Sequence, residues 1–442
     1  MKKCIHIVHH IDTEGPLFES LDEKKERLIN LLSLDKTFFN NLNSIEEVLN
    51  KILKKTNINE SQINFNYLNT LGNFEQITEM LDDLYSKEFT KKIKDSNGNC
   101  WKFNWHIMDH VGFDDNPRRR ITGHNEILKF YLNYLNKKNL PLSRVDWHFH
   151  PIPFSKKANV CATSYWNSSE IINQILTRRL IDFNFFPIVN RAGFHTVRPD
   201  SNVWLEMWMP FDASNQSLME DDNYEIYSDS KFGSLGDWRG AKNNWELYNP
   251  SFLDWRKKGH LKRTIAKCLN LKTRFRNINE NEINIAFQTA EKNNKPVYLG
   301  ITNHDFRNMR FEIEEFYKIL LKVSKNYKIP FVFSDSVDAF NECLDYGNER
   351  KKNKLNLGYK WVEKNILEIN VIKGAIWGPQ PFLAVKTINN EFITDNFDFG
   401  TIDSNKFYYT FNSSTIEKSK LSVIKVASND KFGNQSIIKI KL

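Results

Sequence analysis

The sequence predicts a parallel α/β domain that is followed by a small all-β sandwich. Two patterns indicate this. Up to about residue 345, apolar runs that end at proline, glycine or acidic residues alternate with segments of helical periodicity, as in a parallel α/β fold. Beyond residue 358, short alternating runs separated by polar turns are typical of a β-sandwich. We therefore expect an α/β domain at 1–345, a polar linker at 346–358 and a sandwich at 359–442.

The predicted strands of the first domain are short apolar runs that stop abruptly at a polar or turn-forming residue. They cover residues 4–11, 141–150, 186–193, 296–305 and 329–335. Segments that space their apolar residues at three and four predict helices at 125–137, 169–181, 282–293 and 311–326.

Residues 20–140 are mostly hydrophilic and show helical periodicity, which predicts a long helical insertion. Within it, Ser44 stands three residues before Glu47, the spacing of a helix capping box.

Composition excludes several classes of function. The net charge of +8 comes from lysines spread along the whole chain, so nucleic-acid binding is not expected. No apolar stretch reaches the length of about 18 residues that a membrane span needs, and the N-terminus lacks the apolar run of an export signal. Five widely spaced cysteines without a Cys-x-x-Cys pair indicate reduced thiols. We therefore expect a cytoplasmic protein.

Chemically capable side chains stand at the ends of four predicted strands. In a parallel barrel the carboxyl ends of the strands open on one face, so these residues should converge there. They are Asp12 and Glu14, then Asp146, His148 and His150, then Arg191, and finally His304 and Asp305.

The spacing of His148 and His150 puts both imidazoles on the same side of a strand, where they can share a metal ion. A carboxylate with two imidazoles and an open fourth position is a recurrent catalytic zinc set. A second carboxylate could take a proton from water, and a separate histidine could protonate a leaving amine. Each piece also has a plainer interpretation: helix capping by the acidic pair, or packing by the histidines.

The order of these segments resembles the NodB-homology polysaccharide deacetylases, which form carbohydrate esterase family four. The resemblance covers roughly residues 4–16 and 140–340. The similar segments are 10–16 (His-Ile-Asp-Thr-Glu-Gly-Pro), 147–151 (Trp-His-Phe-His-Pro), 190–195 (Asn-Arg-Ala-Gly-Phe-His) and 300–305 (Gly-Ile-Thr-Asn-His-Asp).

This resemblance implies a distorted (β/α) barrel that binds a divalent ion, with zinc expected, and hydrolyses N-acyl groups on amino sugars. The implied roles are the base for Asp12, the metal ligands for Glu14, His148 and His150, the partner of the base for Arg191, and the general acid for His304.

The chain departs from the family pattern in three ways. The family has adjacent aspartates, so the roles of Asp12 and Glu14 could be exchanged. The family separates its metal histidines by three residues, which leaves Asp146, four before His150, as an alternative ligand. The insertion is also longer than the family needs, and it could wall the site. Candidate substrate contacts there and in the stretch before the last motif are Trp105, His106, Asp109, His110 and Trp238.

Three other functions remain open. A glycosyltransferase could use the Asp-x-Glu pair but would leave the histidines without a role. A metal amidohydrolase on a non-sugar amide and a saccharide-binding protein without catalysis are the others. Without an export signal, the expected carbohydrate substrate is a precursor in surface-polysaccharide synthesis. We expect the sandwich to brace the barrel or to mediate self-association into a homo-oligomer.

Overall fold

The computed structural model describes residues 3–32, 34–55, 70–109, 111–114, 125–157, 162, 164–219, 236–272, 276–399 and 405–442. Its first part runs β1 (Ile5–Thr13), α1 (Leu21–Leu32), α2 (Ile45–Lys55), α3 (Phe74–Leu84), α4 (Lys87–Lys92), β2 (Phe103–Asp109), α5 (Asn125–Lys137), β3 (Val145–Phe149), α6 (Ser169–Phe183), β4 (Val189–Ala192), α7 (Pro199–Trp208), β5 (Phe211–Asn215), β6 (Thr264–Asn270), α8 (Glu280–Asn293), β7 (Val297–His304), α9 (Met309–Ser324), β8 (Phe331–Phe333), α10 (Ser336–Cys343) and α11 (Gly347–Lys352).

Its second part consists of strands: β9 (Asn356–Trp361), β10 (Ile366–Lys373), β11 (Phe382–Thr387), β12 (Phe392–Ile393), β13 (Asp398–Phe399), β14 (Lys406–Thr410), β15 (Leu421–Asn429) and β16 (Gln435–Ile440).

The strands β1 to β7 form a closed parallel barrel, which confirms the barrel prediction. Closure depends on β1, which pairs with β7 along its length and with β2 through its second half, from His9 to Thr13. The eighth strand, β8, pairs with the first half of β1 and lies outside the ring. In this register Asp12 is the neighbour of both His106 and His304, so the end of β1 lies level with the end of β7 and with the middle of β2.

The predicted insertion at 20–140 is wrong in part. Its residues 103–109 form β2, a barrel strand, and α5 packs against β2. The strands β5 and β6 also join the barrel without having been predicted. The predicted linker at 346–358 contains α11 and the start of β9.

Local signals explain several helix boundaries. The capping box before α2 is confirmed: Ser44 Oγ accepts from the backbone N–H of Glu47, and the Glu47 carboxylate accepts from that of Ser44. Helix α8 begins at Asn279, whose side chain accepts from the N–H of Glu282, and it ends at Asn294 in the left-handed conformation that asparagine tolerates.

The C-terminal strands form two antiparallel four-stranded sheets, β13-β14-β10-β9 and β12-β11-β15-β16, around one apolar core. The second sheet packs on α6 of the barrel through Phe382 and Phe392. Asn429 adds hydrogen bonds to the carbonyls of Pro187 and Trp208 at 2.7 and 2.9 Å. The sandwich therefore braces the barrel.

Among the described residues, no helix combines the length and apolar character that crossing a bilayer requires. The described cysteines, which are Cys4, Cys100, Cys268 and Cys343, form no disulfide; Cys161 lies outside the described residues.

Candidate metal centre

A group of three residues that could hold a metal ion, called the metal-binding group below, lies at the carboxyl end of the barrel. The ligand atoms of Glu14, His148 and His150 all lie within 4.8 Å of one another, and all three residues are buried. The two histidine Nε2 atoms are 2.9 Å apart. Glu14 Oε1 lies 3.9 Å from Nε2 of His148 and 3.7 Å from Nε2 of His150.

The donor set fits a small divalent ion. Metal–nitrogen bonds of about 2.0–2.1 Å place tetrahedral ligand atoms roughly 3.3 Å apart, close to the spacing observed here. His148 Nδ1 lies 3.0 Å from the carbonyl oxygen of Arg191, which can only accept a hydrogen bond, so Nδ1 carries the proton. Burial lowers the pKa of His148 to about 4, so the ring is neutral near pH 7. Nε2 of His148 therefore keeps its lone pair, and it lies beside Glu14 and His150, as binding a shared metal ion requires.

A second carboxylate, Asp12, lies beside the metal-binding group and pairs with Arg191. Arg191 donates to both carboxylate oxygens, from Nε at 3.1 Å and from Nη2 at 2.7 Å, and both side chains are buried. Burial alone would raise the pKa of Asp12, but the charge and hydrogen bonds of Arg191, together with the nearby His148 and His304, outweigh it and hold the pKa well below the usual range. Asp12 therefore remains ionised, with Oδ1 3.5 Å from His148 Nδ1.

His304 also lies beside the metal-binding group. Its Nε2 is 3.4 Å from Glu14 Oε1, and its side chain is 22% exposed, more than those of Asp12 or Glu14. The imidazole can therefore exchange protons with solvent while it remains close to the metal-binding group.

The structure thus brings six of the predicted residues together at one end of the barrel. No known protein family, curated protein or solved structure matches this chain. The function must therefore be inferred from the geometry of the site. The six residues are Asp12, Glu14, His148, His150, Arg191 and His304.

Asp146, the alternative ligand, lies outside this group. Its carboxylate accepts from the backbone N–H groups of Trp147, Ile188 and Val189 at 2.9–3.1 Å. Burial raises the pKa of Asp146 to about 8, although these N–H groups act in the opposite direction. Its role is to join the start of β3 to β4.

Two predicted substrate contacts are tryptophans that belong to the core. Trp105 is fully buried, and its ring packs 5.4 Å from Phe103 and 5.0 Å from Tyr131. Trp238 is also fully buried, and its Nε1 donates to the carbonyl of His195 at 2.9 Å. The prediction that these two residues contact substrate is therefore wrong, since neither side chain is accessible.

The other predicted contacts also have protein partners. Asp109 is buried against Arg179 and accepts from Trp147 Nε1 at 2.6 Å. His106 is buried in the barrel, with its Nδ1 3.3 Å from the carbonyl of Trp147 and its Nε2 2.7 Å from His10 Nδ1. His110 lies outside the described residues.

Two further residues hold Glu14 in place: Asp305, which the sequence placed at a strand end without a role, and Tyr131, which sequence reasoning missed. The buried carboxylate of Asp305 accepts from the backbone N–H of Glu14 at 2.9 Å and from that of Gly15 at 3.0 and 3.1 Å. Tyr131, on α5, donates its hydroxyl to the same carboxylate at 2.9 Å. Gly15 has a φ of 72°, which the turn after Glu14 requires. The chain therefore turns sharply after β1 and presents Glu14 to the histidines.

Gly193 lies against the ring of His150. A Cβ atom at position 193 would come 2.5 Å from Cδ2 and 2.6 Å from Cγ of that imidazole. The next side chain, Phe194, contacts the same imidazole, with a distance of 4.9 Å between ring centroids. The turn after β4 therefore covers one side of the His150 ring.

Proposed function

We propose that the protein is a metal-dependent hydrolase that removes an N-acyl group, acetyl in the simplest case, from an amino sugar. The observation that carries this proposal is the buried group of Glu14, His148 and His150 with an additional ionised carboxylate, Asp12, beside it. The order of the motifs and their resemblance to NodB-type deacetylases support the same reaction class.

In this proposal Glu14, His148 and His150 hold a zinc ion, which suits a set of one carboxylate and two imidazoles. Zinc supplies Lewis acidity, which polarises a carbonyl and makes water a stronger acid.

Asp12 takes the proton of the attacking water. Its pairing with Arg191 keeps the carboxylate ionised and fixes its orientation, so it can accept a proton at neutral pH. His304 donates a proton to the departing amine, which its position near Glu14 and its partial exposure support. The substrate we favour is an N-acetylated sugar precursor of a surface polysaccharide.

The test is acetate release from a panel of N-acetylated nucleotide sugars by purified, zinc-loaded protein. Asp12→Asn should abolish release but leave zinc binding intact, since Asp12 lies outside the ligand group. His148→Ala combined with His150→Ala should abolish both. His6→Gln is the matched control, because His6 is a buried histidine on the same strand as Asp12 whose hydrogen bond goes to Ser334. Acetate release that survives Asp12→Asn would contradict the assigned base, and a wild type that binds no divalent ion stoichiometrically would contradict the hydrolase.

A further inference from the structure

The turn that follows β4 has an unusual backbone. Phe194 and His195 have φ angles of 51° and 53°, so two consecutive residues with side chains adopt the left-handed conformation. Residues other than glycine rarely do so, and such residues concentrate at functional sites.

A neighbouring segment holds this turn in place. The N–H of Gly236 donates to the carbonyl of Phe194 at 2.7 Å, and Trp238 Nε1 donates to the carbonyl of His195 at 2.9 Å. The approach is so close that a Cβ on Gly236 would lie 1.8 Å from the His195 carbonyl oxygen, so only glycine fits there. The position of His195 is therefore fixed on both sides.

The imidazole of His195 is buried but incompletely hydrogen-bonded. The residue is 7% exposed, and within the described part of the chain no hydrogen-bond partner reaches its buried Nδ1 atom. Buried polar atoms nearly always have a partner, because leaving one unsatisfied is costly.

Other buried histidines of the barrel differ from His195 in this respect. Both ring nitrogens of His9 are bonded, to Trp101 and Asn303. Both ring nitrogens of His10 and of His106 are bonded as well. These three histidines of the barrel therefore satisfy both ring nitrogens, which His195 does not.

His195 also belongs to the turn that covers the imidazole of His150, since Gly193 and Phe194 of the same turn lie against that ring. Burial lowers the pKa of His195 well below its usual value, and the positive charge of Arg191 acts in the same direction. Its ring is therefore a neutral group at the site, able to donate or accept one hydrogen bond at Nδ1.

We infer that His195 binds the substrate: its Nδ1 makes a hydrogen bond to the N-acyl sugar that occupies the site beside Glu14, His148 and His150. This inference rests on the proposed function. It adds a substrate contact that does not involve the metal, the base or the acid.

The test compares His195→Leu with His195→Asn on the zinc-loaded protein. Leucine and asparagine have nearly the same shape, but the asparagine amide places a polar atom near the position of Nδ1 and tolerates a left-handed backbone. We expect His195→Leu to lower kcat/KM at least about 10-fold through a lost hydrogen bond, and His195→Asn to retain most of it. Both variants should keep the zinc affinity of the wild type, because neither substitution removes one of the proposed zinc ligands.

Wild-type kcat/KM in His195→Leu would overturn the inference, and so would equal loss of zinc in both variants, which indicates a structural role. Should His195→Leu fail to fold, the readout is the ¹⁵N resonance of Nδ1 in wild-type protein titrated with N-acetylglucosamine. A shift on binding supports the contact, and an unchanged resonance at saturation refutes it. If the wild type releases no acetate from any N-acetylated sugar, the proposed function itself fails and the inference falls with it.

Discussion

Gly193→Ala should damage the metal centre without changing any ligand. The new Cβ would lie 2.5 Å from Cδ2 and 2.8 Å from Cα of His150, whereas ordinary contact begins at 3.4 Å, so the imidazole and the backbone that carries it must shift, the ring by about 0.9 Å. The φ of Gly193 lies outside the left-handed range, so alanine itself fits the backbone. Overpacking of this kind costs about 1–3 kcal/mol of stability. Displacing a ligand should weaken zinc binding about 10–100-fold, as loss of a supporting contact does.

Competition with a zinc chelator measures the affinity, and thermal unfolding measures the stability of the metal-free protein. Gly72→Ala is the matched control: its Cβ would meet Phe18 Cδ2 at 3.5 Å, an ordinary contact, far from the metal-binding group in the sequence. The control should bind zinc like the wild type. A Gly193→Ala protein whose zinc affinity stays within about twofold of the control would refute the reasoning, since the required displacement would then not have occurred.

Three further predictions concern the same site. Arg191→Leu leaves Asp12 buried and uncompensated, so urea unfolding at pH 7 should show a loss of about 3–5 kcal/mol. The difference in stability between wild type and variant should shrink as the pH falls. In the variant the buried Asp12 carboxylate takes up a proton, and in the wild type the ion pair loses its contribution to stability below the ordinary pKa of 3.8. A difference that does not depend on pH would argue against the ion pair. Tyr131→Phe removes one hydrogen bond to Asp305, which should lower the free energy of unfolding by about 1–3 kcal/mol and weaken zinc binding several-fold. Zinc titrations that match those of the wild type would mean that the contact to Asp305 does not position Glu14. Free zinc at 100 times its Kd should stabilise the folded wild type by about 2.7 kcal/mol. Adding EDTA should remove this stabilisation and lower Tm, whereas His148→Ala should show no such shift.

The barrel could be predicted from the sequence where its strands are apolar. The strands β1, β3, β4 and β7 each contain a run of apolar residues that ends at the residues of the site, so both their existence and their convergence followed from the pattern. The strands β2, β5 and β6 were missed because their interiors contain polar residues such as His106, Asp212 and Lys267. These side chains are buried with partners on other elements, His106 and Asp212 on neighbouring strands and Lys267 on α8, which a single segment does not reveal.

The ligand set could be predicted only as a group. Asp12 and Glu14 stand two residues apart at a strand end, so the sequence left open which of them belongs to the metal-binding group. The structure separates them because Asp12 is still within β1 and meets Arg191, whereas Glu14 lies beyond the strand in the turn that Asp305 fixes. Contacts made through backbone N–H groups, as at Asp305, leave no residue pattern to recognise.

The pairing of β1 has a consequence for how the protein folds. The first barrel strand to leave the ribosome hydrogen-bonds to β7 and β8, so Ile5 finds its partners Val297 and Phe331 only after most of the chain has been made. Contacts so distant along the chain slow folding and leave an unpaired strand exposed in the meantime. Asp305, which accepts from the N–H groups of Glu14 and Gly15, follows β7, so a partly synthesised chain that lacks β7 cannot fix Glu14 as the complete barrel does. The earliest strand to be synthesised is thus among the last to be fixed, and nascent protein should capture metal only once the barrel has closed.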